Sequence, residues 1–302
     1  MEQLSARFFT RAEEVGATTW QRFFNADEDP FSSFEFIQTL EQSHSVGVKA
    51  GWQPYHLGIY QGSNMIALCL GYLKSHSYGE YVFDWSIAEA YEHHGFDYYP
   101  KWLCAVPFTP VTGKRIAIAP RASQQHVLQA IKAALDHHAV QHRWSGWHIN
   151  FCDAASADAL QALPCLRRKT VQFQWQNHNY QHFDDFCAQL KARKRKNILK
   201  ERKAVAQAGL QTHVSEGEGI SLEQMQSFCH FYQRTYLKRS GHLGYLTPAF
   251  FEQLWQHMRP HLVLMFATRA HNDKVIAASL YVRDNDTLYG VNPAATEVVG
   301  NE

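Results

Sequence analysis

Apolar residues in the first half of the chain follow two spacings, the period of two typical of strands and the period near 3.6 typical of helices. Two apolar-rich segments, Tyr55 to Tyr60 and Met65 to Leu73, flank Gly62-Ser63-Asn64, which predicts a β-hairpin. The complete prediction for this half is a strand at Ala6 to Thr10, a helix from Pro30, the hairpin, a helix after Ser123, a strand at Gly146 to Phe151, a helix at Ala155 to Leu163 and a strand at Leu166 to Gln176.

The second half repeats this alternation of strands and helices. Its predicted elements are a helix from Asp184 to Gln207, a strand at Leu210 to Val214, helices from Ser221 and from Thr247-Pro248, hairpin strands at His261 to Thr268 and Val275 to Val282, and a strand at Thr287 to Tyr289. The order predicts an α/β fold with two similar halves and fewer elements in the second half. We place the domain boundary at 168/169, inside the strand predicted from Leu166, so the predicted domains are residues 1–168 and 169–290.

The helix predicted over residues 184–208 is strongly basic. On a helical wheel, Phe186, Leu190 and Val205 share one side with the polar residues Lys194 and Asn197, and with Glu201. One interpretation is a solvated helix in which Glu201 pairs with Lys194 or Asn197. The other is a helix that presents cations to phosphate, nucleotide or RNA, because an unpaired Lys194 on an apolar face is costly to bury.

Composition limits the functional classes. The 302 residues are 45% hydrophobic and carry a net charge of +1, so the basic helix is a local feature and DNA is not an expected partner. Six cysteines form no CxxC pair, the N-terminus has no apolar signal segment and no run is long enough for a membrane helix, which predicts a cytoplasmic protein. The 18 histidines show no metal-ligand spacing, so no metal site is predicted.

The stretch from Tyr78 to Trp102 is aromatic and gives no periodic signal. Either its rings pack over the core of the domain, or they form the wall of a ligand site. In the second interpretation, Asp84, Tyr99 and Lys101 supply the polar anchors.

Several phrases of the sequence occur together in a known family. They are YEHHGFDYYPKWLCAVPFTPVTGKR from Tyr91, VQFQWQNHNYQHFDDF from Val171, RKRKNILKERK from Arg193, FYQRTYLKRSGHLGYLT from Phe231 and DTLYG from Asp286. With these phrases the chain resembles the bacterial FemAB-like family of N-acyltransferases, linked to peptidoglycan, over nearly all of residues 1–290. The resemblance implies two tandem GNAT-like domains, the second incomplete, and transfer of an acyl or aminoacyl group to an amine.

The resemblance also implies which molecules the protein meets. The donor would be an acyl-CoA or an aminoacyl-tRNA, neither held as a tight cofactor, and the acceptor would be a small molecule or a peptidoglycan precursor. Because the sequence shows no Ser/His/Asp or Cys/His signature, we expect direct attack by the amine within a ternary complex.

Residue roles follow from this chemistry as hypotheses. Asp84 or Tyr99 would accept the proton, and Lys101 would hold a carboxylate of the acceptor. The residues expected to bind phosphates are Lys194, Arg195, Lys196 and Lys200, and those expected to shape the cleft between the halves are Trp175, Asn177 and Asn197.

The family pattern is expected to end at Gly290, with residues 291–302 forming an atypical polar tail. A truncated second domain would make the chain inactive, or a non-catalytic module that binds an anionic precursor or RNA. It would also leave an open sheet edge at Thr287 to Tyr289, through which the chain would self-associate.

Overall fold

A computed structural model describes residues 3–82, 84–270 and 274–295. Within them the strands β1 to β12 are Leu4–Phe9, Trp52–Pro54, His56–Gln61, Asn64–Cys69, Tyr72–Lys74, Lys101–Cys104, Ile116–Ile118, Trp147–Ile149, Leu210–Glu216, Leu262–Arg269, Val275–Arg283 and Leu288–Ala295. The helices α1 to α9 are Ala17–Gln21, Phe34–Gln42, Trp85–His93, Gln124–His142, Ala154–Leu160, Phe183–Gln189, Ala192–Gln207, Leu222–Ser240 and Pro248–Met258. The predicted α/β class is confirmed.

The first half is built on one long, bent hairpin. β3 and β4 pair in the sheet β1-β3-β4-β7, and β2 and β5 continue the same two chain segments into the sheet β2-β5-β6-β8. At the bend, the Tyr55 amide donates to the Gly71 carbonyl at 2.7 Å. A Cβ at Gly71 would lie 2.3 Å from the Tyr55 oxygen and 2.4 Å from the Trp102 ring, so only glycine allows this close approach.

Helix α4 covers one face of these sheets. Val127, Leu128, Ile131 and Leu135 are buried against strand residues such as Trp102. The apolar spacing after Ser123 therefore predicted both the helix and its buried face.

The two halves share a second hydrophobic core. The third sheet has the order β12-β11-β10-β9 and is antiparallel throughout. Helices α8 and α9 pack with it, and α9 also packs on α2 of the first half, where the Phe36 and Phe250 rings meet at 5.8 Å. The domain boundary predicted at 168/169 stays a prediction. The shared core contains helices from both sides of that boundary, so this core is not divided there.

Two capping residues of the second half, Ser221 and Thr247, act as their positions predicted. Ser221 accepts from the Gln224 amide and forms a capping box at the start of α8. Thr247 accepts from the Phe250 amide at the start of α9, where Pro248 occupies the first turn. The loop at residues 271–273, predicted as a hairpin turn, lies outside the described residues.

Two predictions around residue 180 are wrong. Leu166 to Gln176 is not a strand, because its alternating residues meet no sheet edge and a strand needs a hydrogen-bonded neighbour. The basic segment is not one helix, since Leu190 is extended at φ −81° and ψ 144° and separates α6 from α7. Phe186 and Lys194 therefore do not share one helical face, and no residue of α7 is buried.

Two further differences concern the aromatic stretch and the C-terminal end. Helix α3 lies inside the stretch that showed no periodicity, and none of its residues is buried. The last strand continues past Gly290 to Ala295, so the expected polar tail is in part a strand, and residues 296–302 lie outside the described part. β12 stands at the end of its sheet, and the self-association expected from that edge stays a prediction.

Candidate functional site

Two buried lysines, Lys74 and Lys101, lie on neighbouring strands of the first half. β5 and β6 are antiparallel, and their register places Lys74 opposite Lys101. Both side chains are completely buried. Because an isolated buried ammonium costs several kcal/mol, two of them side by side require nearby carboxylates.

Lys101 has those partners. Its Nζ donates to Glu80 Oε2 at 3.0 Å and to Asp84 Oδ2 at 2.6 Å, and it also lies 3.3 Å from the Tyr98 hydroxyl. Both carboxyl groups are buried as well. The lysine predicted to hold an acceptor carboxylate thus already binds two carboxylates of its own chain.

Asp84 is held as a carboxylate by several donors. Besides Lys101, Ser77 Oγ donates to Oδ1 at 2.6 Å and the Tyr98 hydroxyl donates to Oδ2 at 2.7 Å. Burial acts to raise the pKa of Asp84, but these hydrogen bonds outweigh it and hold the pKa below its ordinary value. Asp84 precedes α3 yet makes no capping hydrogen bond, because the cluster occupies both of its oxygens.

Tyr99 joins the same network through its hydroxyl, which forms a hydrogen bond with Ser77 Oγ. Burial raises the pKa of Tyr99 to about 12, although the Ser77 hydrogen bond opposes this change. The phenol is therefore protonated at neutral pH. Asp84, Tyr99 and Lys101, which the sequence selected as anchors, do lie together in the structure.

Glu80 is the member of the cluster that the sequence did not select. Its side chain is completely buried, and Oε1 has no hydrogen-bond partner among the residues that the structure describes. Burial raises the pKa of Glu80 to about 7, while the charge and hydrogen bond of Lys101 oppose that rise. No local sequence motif indicates a role for Glu80. It is identified only by its hydrogen bond with Lys101 in the folded structure.

Lys74 has weaker compensation than Lys101. Its Nζ donates to the Tyr78 carbonyl at 3.3 Å and lies 3.8 Å from the centre of the Trp52 ring. Burial lowers the pKa of Lys74 to about 7, with Glu80 opposing and Lys101 adding to the decrease. At neutral pH a large fraction of this amine is therefore uncharged.

The segment that carries Glu80 also touches the second half of the chain. Gly79, at φ +78°, lies against Phe108, whose ring stacks on Tyr245 at 5.0 Å. The hydroxyls of Tyr81 and Tyr236 lie 3.4 Å apart. Glu80 thus sits beside the junction of the two halves.

The junction is closely packed in this structure. A pocket there, lined by residues such as Phe108, Tyr236 and Phe250, has about 20 Å³ of accessible space, room for one water molecule. An acyl donor needs far more volume. Glu80 is not among the residues that line this pocket.

The other predicted binding residues lie elsewhere. Trp175 is exposed and packs against Tyr180 and Phe186, and Asn177 accepts from the Tyr180 amide at 2.9 Å. The cationic residues of α7 are on a helix that packs chiefly against β9, and Lys194, Lys196, Asn197 and Lys200 are exposed. The structure does not bring any of these residues into the cluster around Lys101.

Neither a metal-binding cluster nor a membrane-spanning helix is found among the described residues. No group of His, Cys, Asp and Glu side chains there has an arrangement that fits a metal ion. No helix in that part of the chain combines the length and apolar character needed to cross a membrane.

Comparison with known proteins gave one family and several similar folds. A family described as FemAB-like, peptidoglycan biosynthesis/recognition, matches residues 11–299, and the match thus extends beyond Gly290, where we expected the pattern to end. A search of curated proteins found no significant match.

Three solved structures are similar over most of the chain. A crystal structure of FemX has 10% identity and a TM-score of 0.45, covering 98% of this chain and 81% of its own. A tandem GNAT protein from the clavulanic acid biosynthesis pathway has 8% identity and a TM-score of 0.45, with coverages of 97% and 79%. L-PGS from Bacillus licheniformis has 8% identity and a TM-score of 0.39, with coverages of 86% and 67%. All three TM-scores lie below 0.5, and none of these likenesses bears on the chemistry of this chain.

Proposed function

The chain belongs to the FemAB-like family of peptidoglycan biosynthesis/recognition, and on that premise we propose that it transfers an acyl or aminoacyl group to an amine. The donor is an acyl-CoA or an aminoacyl-tRNA, and the acceptor is an amine related to a peptidoglycan precursor. The observation that carries the proposal is Glu80, a buried carboxyl group with a free oxygen and a pKa near neutrality.

Direct transfer needs a group that removes a proton from the attacking amine. A general base works best when its pKa is close to the working pH, and the pKa of Glu80, about 7, meets that condition. Asp84 is a weaker base because three donors stabilise its charge, and the Tyr99 phenol is already protonated. The proton-accepting role that the sequence suggested for Asp84 or Tyr99 therefore fits Glu80 better.

The remaining members of the cluster position this base. Lys101 fixes one oxygen of Glu80, leaving Oε1 for the substrate, and Asp84 with its donors fixes Lys101. In the reaction, the amine nitrogen attacks the acyl carbonyl carbon and Glu80 takes the amine proton. The bond from that carbon to the donor's sulfur or oxygen then breaks, and the leaving group departs with the electron pair of the bond and takes the proton from Glu80. No covalent acyl-enzyme is formed.

The test is a transfer assay with the purified chain. Acetyl-CoA or charged tRNA is incubated with a muramyl peptide that carries a free amine, and mass spectrometry detects the acylated peptide. We expect Glu80→Gln to lower the rate by about 10²–10⁴-fold. The matched control is Glu89→Gln, an exposed glutamate on the neighbouring helix α3, which should leave the rate unchanged. Equal rates for wild type and Glu80→Gln would reject Glu80 as the base.

The exposed cations of α7 favour a second candidate function, a recognition module for an anionic precursor. Those side chains extend into solvent and stand apart from the cluster around Lys101. Saturable, salt-sensitive binding of the muramyl peptide with no transfer from either donor would select this function over catalysis.

A further inference from the structure

One surface of the molecule combines exposed apolar side chains with a high density of positive charge. The apolar part is in the irregular segment before α6, where Val171 is 81% exposed, Phe173 is 100% exposed and Trp175 is 63% exposed. The basic part is α7, which has seven lysines and arginines and a single acidic residue. We call the two together the aromatic–basic surface.

Ring contacts show that the two parts are contiguous. Trp175 lies 6.1 Å from Phe186, and Phe186 lies 5.8 Å from Phe183. The Arg202 guanidinium of α7 then lies 4.0 Å from the centre of the Phe183 ring. A continuous path of side chains therefore joins the apolar segment to the basic helix.

The charge of α7 is not neutralised locally. Among the described residues, no ion pair engages any of its lysines or arginines, so the pairing of Glu201 with Lys194 is not observed. Asp185, at the start of α6, accepts from the Gln181 and His182 amides and serves as a helix cap. The surface therefore presents a net positive field to a partner.

The apolar residues identify the kind of partner. Exposed apolar patches in a folded chain mark sites where another apolar phase or molecule covers them. Val171, and Leu199 and Val205 of α7, are aliphatic and also exposed, and aliphatic side chains do not stack on nucleic-acid bases. The interior of a lipid bilayer accepts both aliphatic and aromatic groups, and its anionic headgroups complement the lysines and arginines.

We propose that the aromatic–basic surface docks on the face of a bilayer that contains anionic phospholipids. Phe173 and Trp175 insert between the headgroups, and the cations of α7 lie over the phosphates. This docking is independent of the acyl-transfer proposal, because neither Glu80 nor Lys101 takes part in it.

The first test is co-sedimentation of the full chain with vesicles. We expect binding to vesicles of equimolar phosphatidylglycerol and phosphatidylcholine to exceed binding to phosphatidylcholine alone by about tenfold or more, and to weaken in high salt. Equal binding to both kinds of vesicle, or binding to neither, would overturn the proposal.

Variants separate the apolar contribution from the charge. The doubly substituted chain Phe173→Ser with Trp175→Ser should lose most of the binding, and so should Lys194→Ala with Lys196→Ala and Lys200→Ala. The controls are Phe96→Ser, which replaces an aromatic residue that is 68% exposed, and Lys238→Ala with Arg239→Ala at the end of α8. Because all of these residues are exposed, the melting temperature should stay at the wild-type value. Losses of the same size in the controls would show that the surface is not specific.

Two readouts locate the contact and identify the partner. Lipids brominated on their acyl chains should quench the fluorescence of wild type, and Trp175→Phe should bind equally but show less quenching. Unchanged quenching in Trp175→Phe would place the contact elsewhere and reject the proposal.

Binding of RNA without binding of anionic vesicles would likewise reject it and assign the surface to nucleic acid.

Discussion

Lys74 on β5 and Lys101 on β6 are direct cross-strand neighbours, and both are completely buried. Lys101 is compensated by two carboxylates, whereas Lys74 has a carbonyl oxygen and the face of Trp52. Burial lowers the pKa of Lys74 to about 7, and among the described residues this lysine has no carboxylate in hydrogen-bond contact to oppose the change fully. Burial also raises the pKa of Glu80 to about 7, so a glutamate and a lysine with pKa values near neutrality lie beside the junction of the two halves.

The raised pKa of Glu80 makes stability depend on pH. In the folded chain its pKa is about 7, above the ordinary value of 4.5, so the stabilisation by this group is fully present below pH 4.5 and is lost as the pH rises through about 7. Glu80→Gln is neutral at every pH and lacks this dependence. We therefore expect the free energy of unfolding of wild type to fall relative to that of Glu80→Gln, by on the order of 3 kcal/mol between acidic and mildly alkaline pH.

Urea unfolding at a series of pH values measures this difference. The control Glu89→Gln should follow wild type at every pH, because Glu89 is exposed. A constant gap between wild type and Glu80→Gln would mean that Glu80 has an ordinary pKa in the folded chain.

Removing the Lys101 ammonium should lower the free energy of unfolding of the protein. Lys101→Met leaves Glu80 and Asp84 buried without their shared partner, and breaking such a pair costs about 3–5 kcal/mol. The matched control is Lys132→Met on α4, which removes a partly exposed pair with Asp136 and should cost no more than about 1 kcal/mol.

Denaturant midpoints of the two lysine variants provide the comparison. Adding Glu80→Gln and Asp84→Asn to Lys101→Met should recover part of the loss, because the substituted amides carry no charge. Equal midpoints for Lys101→Met and Lys132→Met would contradict the buried ion-pair network.

Gly79 is predicted to be irreplaceable for a packing reason. In Gly79→Ala, the new Cβ would lie 2.5 Å from the Phe108 ring, in a backbone at φ +78°. Gly95 has nearly the same φ, +73°, but no atom within 4 Å of a Cβ, so Gly95→Ala measures the strain of a positive φ without a clash. We expect Gly79→Ala to lose about 1–3 kcal/mol more than Gly95→Ala in urea unfolding. Equal losses of unfolding free energy in the two variants would show that the Phe108 ring moves aside without destabilising the protein.

The stack of Phe108 on Tyr245 should couple the two halves of the chain energetically. The rings are nearly parallel, with 6° between their planes, and such pairs contribute about 0.5–1.5 kcal/mol beyond their buried area. A double-mutant cycle with Phe108→Leu and Tyr245→Leu, read by urea unfolding, should give a coupling free energy in this range. Additive losses would mean that the contact does not hold the halves together.

The sequence by itself determined most of the local structure. The turn at Gly62 and Ser63, the caps at Ser221 and Thr247 and the buried face of α4 are set by neighbours within a few residues, so their patterns predicted them correctly. The family phrases likewise identified the family. These features are local, and local rules are sufficient for them.

Only the tertiary structure decided the rest. The VQFQW alternation suits a strand, but a strand exists only where a neighbouring edge supplies hydrogen bonds, and none meets it here. Leu190 has no helix-breaking side chain, yet the chain turns there and removes the face that Lys194 was expected to share. Glu80 acquired its pKa from burial beside Lys101, 21 residues along the chain, and burial of that kind is a property of the packed fold that no local pattern contains.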